Sequence, residues 1–229
     1  PEFALFDMPF LVRDRAHLRA IDAQIIQPDL APKLDEKGLH LISTWENGFR
    51  QITNNTRPIN TPEDLAGLKI RTPSSEWRVA MFKEWGANPT PMAFSEVFVA
   101  LQTGTMDGQE NPLTNIVGAN FQEVQKYLSL TDHVYSPTYL TSGAETWAGL
   151  PDDVKTAVSE IADEVQDWSL AEGEKADGTL VEKVKAAGVE VNDADKAAFV
   201  AASQPIYDAF AQQVPGGADL VSKAQALAK

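Results

Sequence analysis

The spacing of apolar and polar positions changes period several times along the chain, and each change marks an element. Residues 3–12 form a nearly unbroken apolar run with Pro9 inside it, which reads as a short strand or turn rather than a helix. Over 13–31, charges alternate with Leu18, Ile21, Ile25 and Ile26 at the spacing of an amphipathic helix. A short helix then stops at Lys37-Gly38, and 39–45 (LHLISTW) reads as a strand. ENGFRQITNN, which follows, is rich in turn residues. Thr61-Pro62-Glu63-Asp64 is a helix start, with Thr as N-cap, Pro in the first position and acids in the first turn. A short strand is expected at 68–71. A helix opens at Ser74-Ser75-Glu76 and closes at Gly86, and a strand-like NPTPM follows. Ser95 is expected to cap the next helix, which Gly104 ends. A short strand or turn at 106–110, a helix at 121–127 and an extended segment at 128–140 complete this half.

The longest expected element starts at Pro151-Asp152-Asp153 and can run to about Ala187. Val154, Val158, Ile161, Val165 and Trp168 make one apolar stripe on it. Leu180, Val181 and Val184 lie rotated from that stripe, beyond Gly173 and Gly178. Either a kink at the glycines or two separate packing partners accounts for the rotation. A short strand at 189–191 and two helices, 194–212 and 218–228, follow. Strands alternating with helices give an α/β fold. A helix longer than one small domain suggests an element spanning two lobes, and a cleft between lobes is a preferred place for a ligand.

Composition narrows the function. The chain has 229 residues, 43% of them hydrophobic, which suffices for one large domain or two small ones. A net charge of -14 repels phosphate backbones and argues against a nucleic-acid partner. There is no cysteine, hence no disulfide, thiol chemistry or thiolate metal site. No apolar run approaches the roughly 20 residues of a membrane span. The chain opens on PEFALFDMPFLV, with neither an initiator Met nor a signal peptide, and the expectation is that something upstream is missing.

Candidate chemistry concentrates in 59–112. Arg71 ends an apolar strand just before a helix start, where an arginine can grip a carboxylate with two parallel hydrogen bonds and stay charged when desolvated. Pairing with a structural Asp or Glu is the competing assignment. Ser74 and Ser75 offer hydroxyls and free N–H groups at a helix N-terminus, or simply cap it. Arg50 is a second clamp or a hinge salt bridge. Asn111 is an amide contact or a turn residue before Pro. Phe94 packs on a ligand or belongs to the core, and Trp77, like Trp45 and Trp147, sits in the core or at a rim. His17, His40 and His133 are too far apart in sequence for a metal site, and no phosphate loop, dinucleotide fingerprint, nucleophile elbow or zinc motif occurs. No nucleophile–base constellation is visible, which counts against an enzyme. No cofactor is expected.

GFRQITNNTRPINTPEDLAGLKIRTP, followed by NPTPMAFSEVFVALQTGTMDGQENP and by the LPDDVKTAV start of the long helix, resembles the periplasmic solute-binding proteins of TRAP (tripartite ATP-independent periplasmic) transporters. The resemblance implies a two-lobed α/β periplasmic-binding-protein fold crossed by a long helix, with residues 1–48 and 137–176 in one lobe and 49–136 and 177–229 in the other. It implies a periplasmic monomer that closes around a small carboxylate and delivers it to the membrane permease subunits. On this resemblance Arg71 is the carboxylate-gripping arginine and Arg50 the second, more variable one. Phe94 packs on the ligand and Asn111 supplies the amide contact. Ser74 and Ser75 stand where ligand-specific contacts occur, and Trp77 helps shape the cavity. The family's first strand–helix–strand segment, with further ligand contacts, is absent from this sequence. The polar residues Ser74, Ser75, Glu76, Asn47, Asn54, Asn55 and Asn111 suit a sugar acid or hydroxy acid somewhat better than an aliphatic acid, and cyclic zwitterions such as ectoine remain open. A sensory ligand-binding domain, or an enzyme acting on an organic acid, is the alternative, and a neighbouring permease gene rather than a kinase gene separates the first of these.

Overall fold

A computed structural model describes residues 1–228. The opening segment is a 3-10 helix, Glu2–Asp7, rather than a strand. Helix α1 (Arg15–Ile21) is capped by Asp14, whose side chain accepts the His17 N–H. It passes into a π-helical stretch, Asp22–Leu30, that contains Pro28, and then into α2 (Ala31–Asp35). The helix expected from the spacing is therefore real, but wound more loosely around its proline.

Strand β1 (Leu39–Asn54) is more than twice the expected length. The stretch ENGFRQITNN continues the strand because register shifts at Leu41/Ser43 and Trp45/Gly48 absorb its irregularity. Gly48 carries φ +121°, a conformation that side chains strain to adopt. Thr61 forms the expected capping box with Asp64, opening a single 3-10 turn, Pro62–Leu65. There follow β2 (Lys69–Thr72), α3 (Glu76–Glu84), β3 (Asn88–Pro91), α4 (Val97–Gln102), β4 (Gly108–Pro112) and α5 (Leu113–Gly118). Ser95 does not cap α4; it lies inside a 3-10 turn, Phe94–Glu96, that leads into it. Next come β5 (Tyr127–Leu130), β6 (Tyr135–Gly143), α6 (Ala144–Ala148), α7 (Asp152–Ala186), β7 (Glu190–Asp193), α8 (Lys196–Ala201), α9 (Gln204–Gln213) and α10 (Gly217–Ala226).

The strands run in the order β3-β2-β4-β1-β5-β7, with β6 also on β1. β2 is parallel to β3 and β4, β5 is parallel to β7, and β1 is antiparallel to its partners. The first part of β1, to Phe49, pairs with β6; the last part, from Arg50, pairs with β4 and β5. One strand thus belongs to two paired regions. Two apolar clusters result. One gathers Leu5, Ile21, Ile52, Ile70, Phe82, Phe210 and Ala224; the other gathers Val97, Leu101, Ile116, Leu128 and Val184.

Helix α7 runs 35 residues without a break. Its N-terminal half lies on β1, where Ser43 Oγ and Trp45 Nε1 donate to the Ala162 carbonyl at 3.3 and 3.1 Å. Its C-terminal half joins the second cluster through Leu180, Val181 and Val184. Two packing partners account for the rotated faces. The stripe expected to bury is instead open at Val154, Ile161 and Trp168 (39, 61 and 65% exposed).

Gly173 is where α7 crosses β1. A Cβ there would stand 2.6 Å from Glu46 Cγ. Glu46 cannot swing away freely, because Arg15 grips it at 2.8 and 3.1 Å and the Tyr135 hydroxyl donates to it at 2.6 Å. Gly173→Ala should therefore lower stability by about 2 kcal/mol despite alanine's better helix propensity. Gly178, with open space around its Cβ position, should respond to the same substitution with a gain of up to about 1 kcal/mol. Thermal melts of the two variants check this, and a rise in melting temperature for Gly173→Ala would refute the close-packing account.

Candidate functional site

The carboxyl ends of β2, β3 and β4 lie side by side, the edge at which open α/β sheets expose ligand contacts. Arg71 is third in β2 and is buried. Its Nε and Nη2 donate to the Met92 carbonyl just beyond β3, at 2.9 and 2.5 Å. No carboxylate lies within ion-pair distance of it among the described residues. Burial pushes its pKa down, Glu110 pulls it up and Arg50 pushes it down, and an arginine stays charged through such a shift. The assignment of Arg71 to a structural Asp or Glu therefore has no partner to rest on.

Arg50, on β1, is engaged differently. Its Nε and Nη2 both bond the Glu110 carboxylate, and Nη2 also donates to the Glu110 carbonyl at 2.7 Å and to Asn111 Oδ1 at 3.1 Å. Nη1 reaches Ser136 Oγ at 3.4 Å. The salt-bridge assignment thus describes most of what Arg50 does here.

Glu110 is fully buried and takes two further donors at Oε2: Arg78 Nη1 at 3.1 Å and His133 Nε2 at 3.1 Å. Burial alone would raise its pKa; Arg50 and Arg78 reverse that and hold the carboxyl well below the usual range. Burial pushes the His133 pKa down, against the upward pull of Glu110. The ionised Glu110 carboxylate can only accept, so His133 Nε2 carries the proton it takes, and Nδ1 pairs with the Thr131 hydroxyl at 2.8 Å. Arg78 continues the network, with Nε to Asp7 Oδ1 at 2.8 Å and Nη2 to Ser136 Oγ at 3.1 Å.

The other candidates divide. Asn111 is buried beside Arg50, donates to Gln109 Oε1 at 2.6 Å and accepts from Asn115 at 3.3 Å. Asn115 also reaches Asn47 Oδ1 at 3.4 Å, so three asparagines meet at this edge. Phe94 is 45% exposed, its ring tilted against Phe121 with centroids 5.6 Å apart. Core membership does not describe it. Ser74 is exposed at the start of α3. Ser75 caps α3 by accepting the Arg78 N–H and donates its hydroxyl to Asp7 at 2.7 Å. Trp77 is buried in the core against Phe210, centroids 5.3 Å apart, which matches the core alternative for it. Asn54 accepts the Thr56 and Arg57 N–H groups in a turn, and Asn55 donates to Val124 O; neither joins the site.

Glu110, Arg78, His133, Ser136 and Asp7 were not singled out by sequence reasoning. Glu110 sits inside the DGQENP stretch, next to Asn111, and a carboxylate beside a candidate contact was its only signal. The others come from distant segments.

Comparison with known proteins gives a consistent set. The family profile described as bacterial extracellular solute-binding protein, family 7, matches residues 1–213. The 2,3-diketo-L-gulonate-binding periplasmic protein of Escherichia coli is 42% identical over 224 residues, covering 96% of this chain and 68% of that protein. A TRAP periplasmic solute-binding protein from Polaromonas, solved bound to D-erythronate, superposes with a TM-score of 0.90 at 39% identity, over 100% of this chain and 75% of the other. One from Chromohalobacter salexigens, with bound D-glucuronate, gives 0.94 at 34%, over 99% and 76%.

Proposed function

This chain belongs to the bacterial extracellular solute-binding proteins of family 7, and on that premise we propose that it captures a small carboxylate in the periplasm for a TRAP transporter. The observation that carries this is Arg71: a buried guanidinium at the carboxyl ends of three strands, bonded only to a carbonyl and lacking a carboxylate partner among the described residues. A ligand carboxylate supplies that partner, taking hydrogen bonds from the part of the fork that Met92 leaves available. Phe94 covers the apolar face of the ligand. Asn111, with Asn47 and Asn115, presents amides that suit hydroxyl groups, which favours a sugar acid or hydroxy acid. Ser74 adds a hydroxyl at the rim. Arg50 acts mainly through Glu110 and Asn111.

We place the crossing between the two lobes at the shared strand, β1. We put one lobe at 1–48 and 137–176 and the other at 49–136 and 177–229, whose last residue, Lys229, lies outside the described residues. The Trp45/Gly48 register shift and the change of partners at Arg50 support that boundary. The reading is of a monomer that hands its ligand unchanged to the permease subunits, and the relatives named as binding proteins support a non-enzymatic role. The acidic surface supports the absence of a nucleic-acid partner.

A thermal-shift screen against sugar acids, hydroxy acids, dicarboxylates and compatible solutes tests this. A true ligand at 100 times its dissociation constant adds about 2.7 kcal/mol, which raises the melting temperature by about 5–10 °C in a chain of this size. Stabilisation by carboxylate-free compounds alone defeats the reading, and mass spectrometry showing the hit chemically altered defeats its non-enzymatic part.

A further inference from the structure

We propose that the site selects singly charged acids over doubly charged ones, and that Asp7 sets this valence; the inference rests on the carboxylate reading above. The cluster holds three arginines, Arg50, Arg71 and Arg78, each buried. Two carboxylates answer them. Glu110 lies between Arg50 and Arg78, and Asp7 takes the Nε of Arg78 at 2.8 Å on one oxygen and the Ser75 hydroxyl at 2.7 Å on the other. Burial disfavours the charged form of His133, which is left out of the sum. Three cations and two anions leave one positive charge, and it resides on Arg71.

A second ionic group, Arg15 with Glu46 and Asp177, lies nearby but elsewhere in the fold. Arg15 stands over the Phe49 ring, and Phe49 and Arg50 point to opposite sides of β1. Glu46 on β1 and Asp177 on α7 both bond Arg15, and neither is among the charged groups that act on Arg71.

One ligand carboxylate neutralises the cluster, and a second would leave an unanswered anion in a desolvated cleft. At the effective dielectric of a protein site, an unanswered charge beside the cluster separates such ligands by about tenfold or more. Asp7 is the adjustable member, because Glu110 is locked by four donors whereas Asp7 is partly exposed and answers one arginine. Without its charge, Arg78 retains only the share of Glu110 that Arg50 leaves, and the cluster carries two positive charges.

The test uses matched pairs that differ only in oxidation of the terminal hydroxymethyl group: D-erythronate against meso-tartrate, and D-galactonate against galactarate. Calorimetry on the full chain should show the monoacid bound at least about tenfold tighter within whichever pair binds. Asp7→Asn should shrink that ratio by about tenfold. Asp7→Asn combined with Arg78→Gln, which removes the pair together, should restore it. Equal or tighter binding of the diacid to the unaltered protein overturns the proposal. So does a ratio that Asp7→Asn leaves unmoved, or one that moves alike in the single and double variants. If no member of either pair binds, and no other carboxylate does, the carboxylate reading fails first. If Asp7→Asn does not fold, the ratio in the unaltered protein still decides.

Discussion

Arg71→Ala abolishes measurable carboxylate binding while leaving the fold intact. Truncating one partner of a buried charge pair costs roughly 2–5 kcal/mol, so affinity should drop by at least about 30-fold. Stability should not follow. In the free protein Arg71 is buried, bonds only the Met92 carbonyl and has its pKa pushed down by desolvation, so its charge is a strain on the unliganded state. The variant should melt within a few degrees of the parent, or above it. Arg71→Lys should lose about tenfold or more in affinity, because an ammonium cannot form the planar fork. Calorimetry and melting of both variants decide the matter. Near-native affinity in Arg71→Ala would remove the arginine from the site, and a melting drop of ten degrees or more would make it a structural residue instead.

Glu110→Gln has the opposite signature. It leaves Arg50 and Arg78 buried without the carboxylate they share, and breaking a buried pair from one side costs roughly 3–5 kcal/mol. The pH dependence carries a sign that can be checked. The folded state holds the Glu110 pKa far below its unfolded value of about 4.3, so the unfolded chain binds more protons between the two values. Its stabilisation is therefore complete above about pH 4.3 and is lost as the pH falls toward the folded value. Denaturant titrations between pH 3 and 7 should show the parent losing stability on acidification and Glu110→Gln following a flatter line. Parallel lines for the two proteins would show that the cluster does not depend on this charge.

Local chemistry made part of this legible in the sequence. The Thr61–Asp64 capping box, the end of α3 at Gly86 and the start of α7 after Pro151 are set by residues within four positions of one another, and each is found in place. Arg71 was legible for the same reason, as a charge closing an apolar strand. β1 was not, because a register shift at Gly48 lets turn-like residues continue a strand, and that depends on pairing with β6. The core and rim alternatives for Trp77 could not be separated in the sequence, because its partner, Phe210, lies far along the chain. The Asp7–Arg78–Glu110–His133 chain was invisible for a related reason: four segments meet only after the strands have ordered, and no spacing in the sequence links them.

The first apolar cluster contains both Leu5 and Ala224. Its earliest residues cannot bury themselves until nearly the last ones are available, so the entropy of closing a very long loop comes before the reward. The contacts that join Leu5 to Ala224 therefore form late, after those within single strands and helices. A core built this way completes more slowly than one assembled from contacts within neighbouring elements.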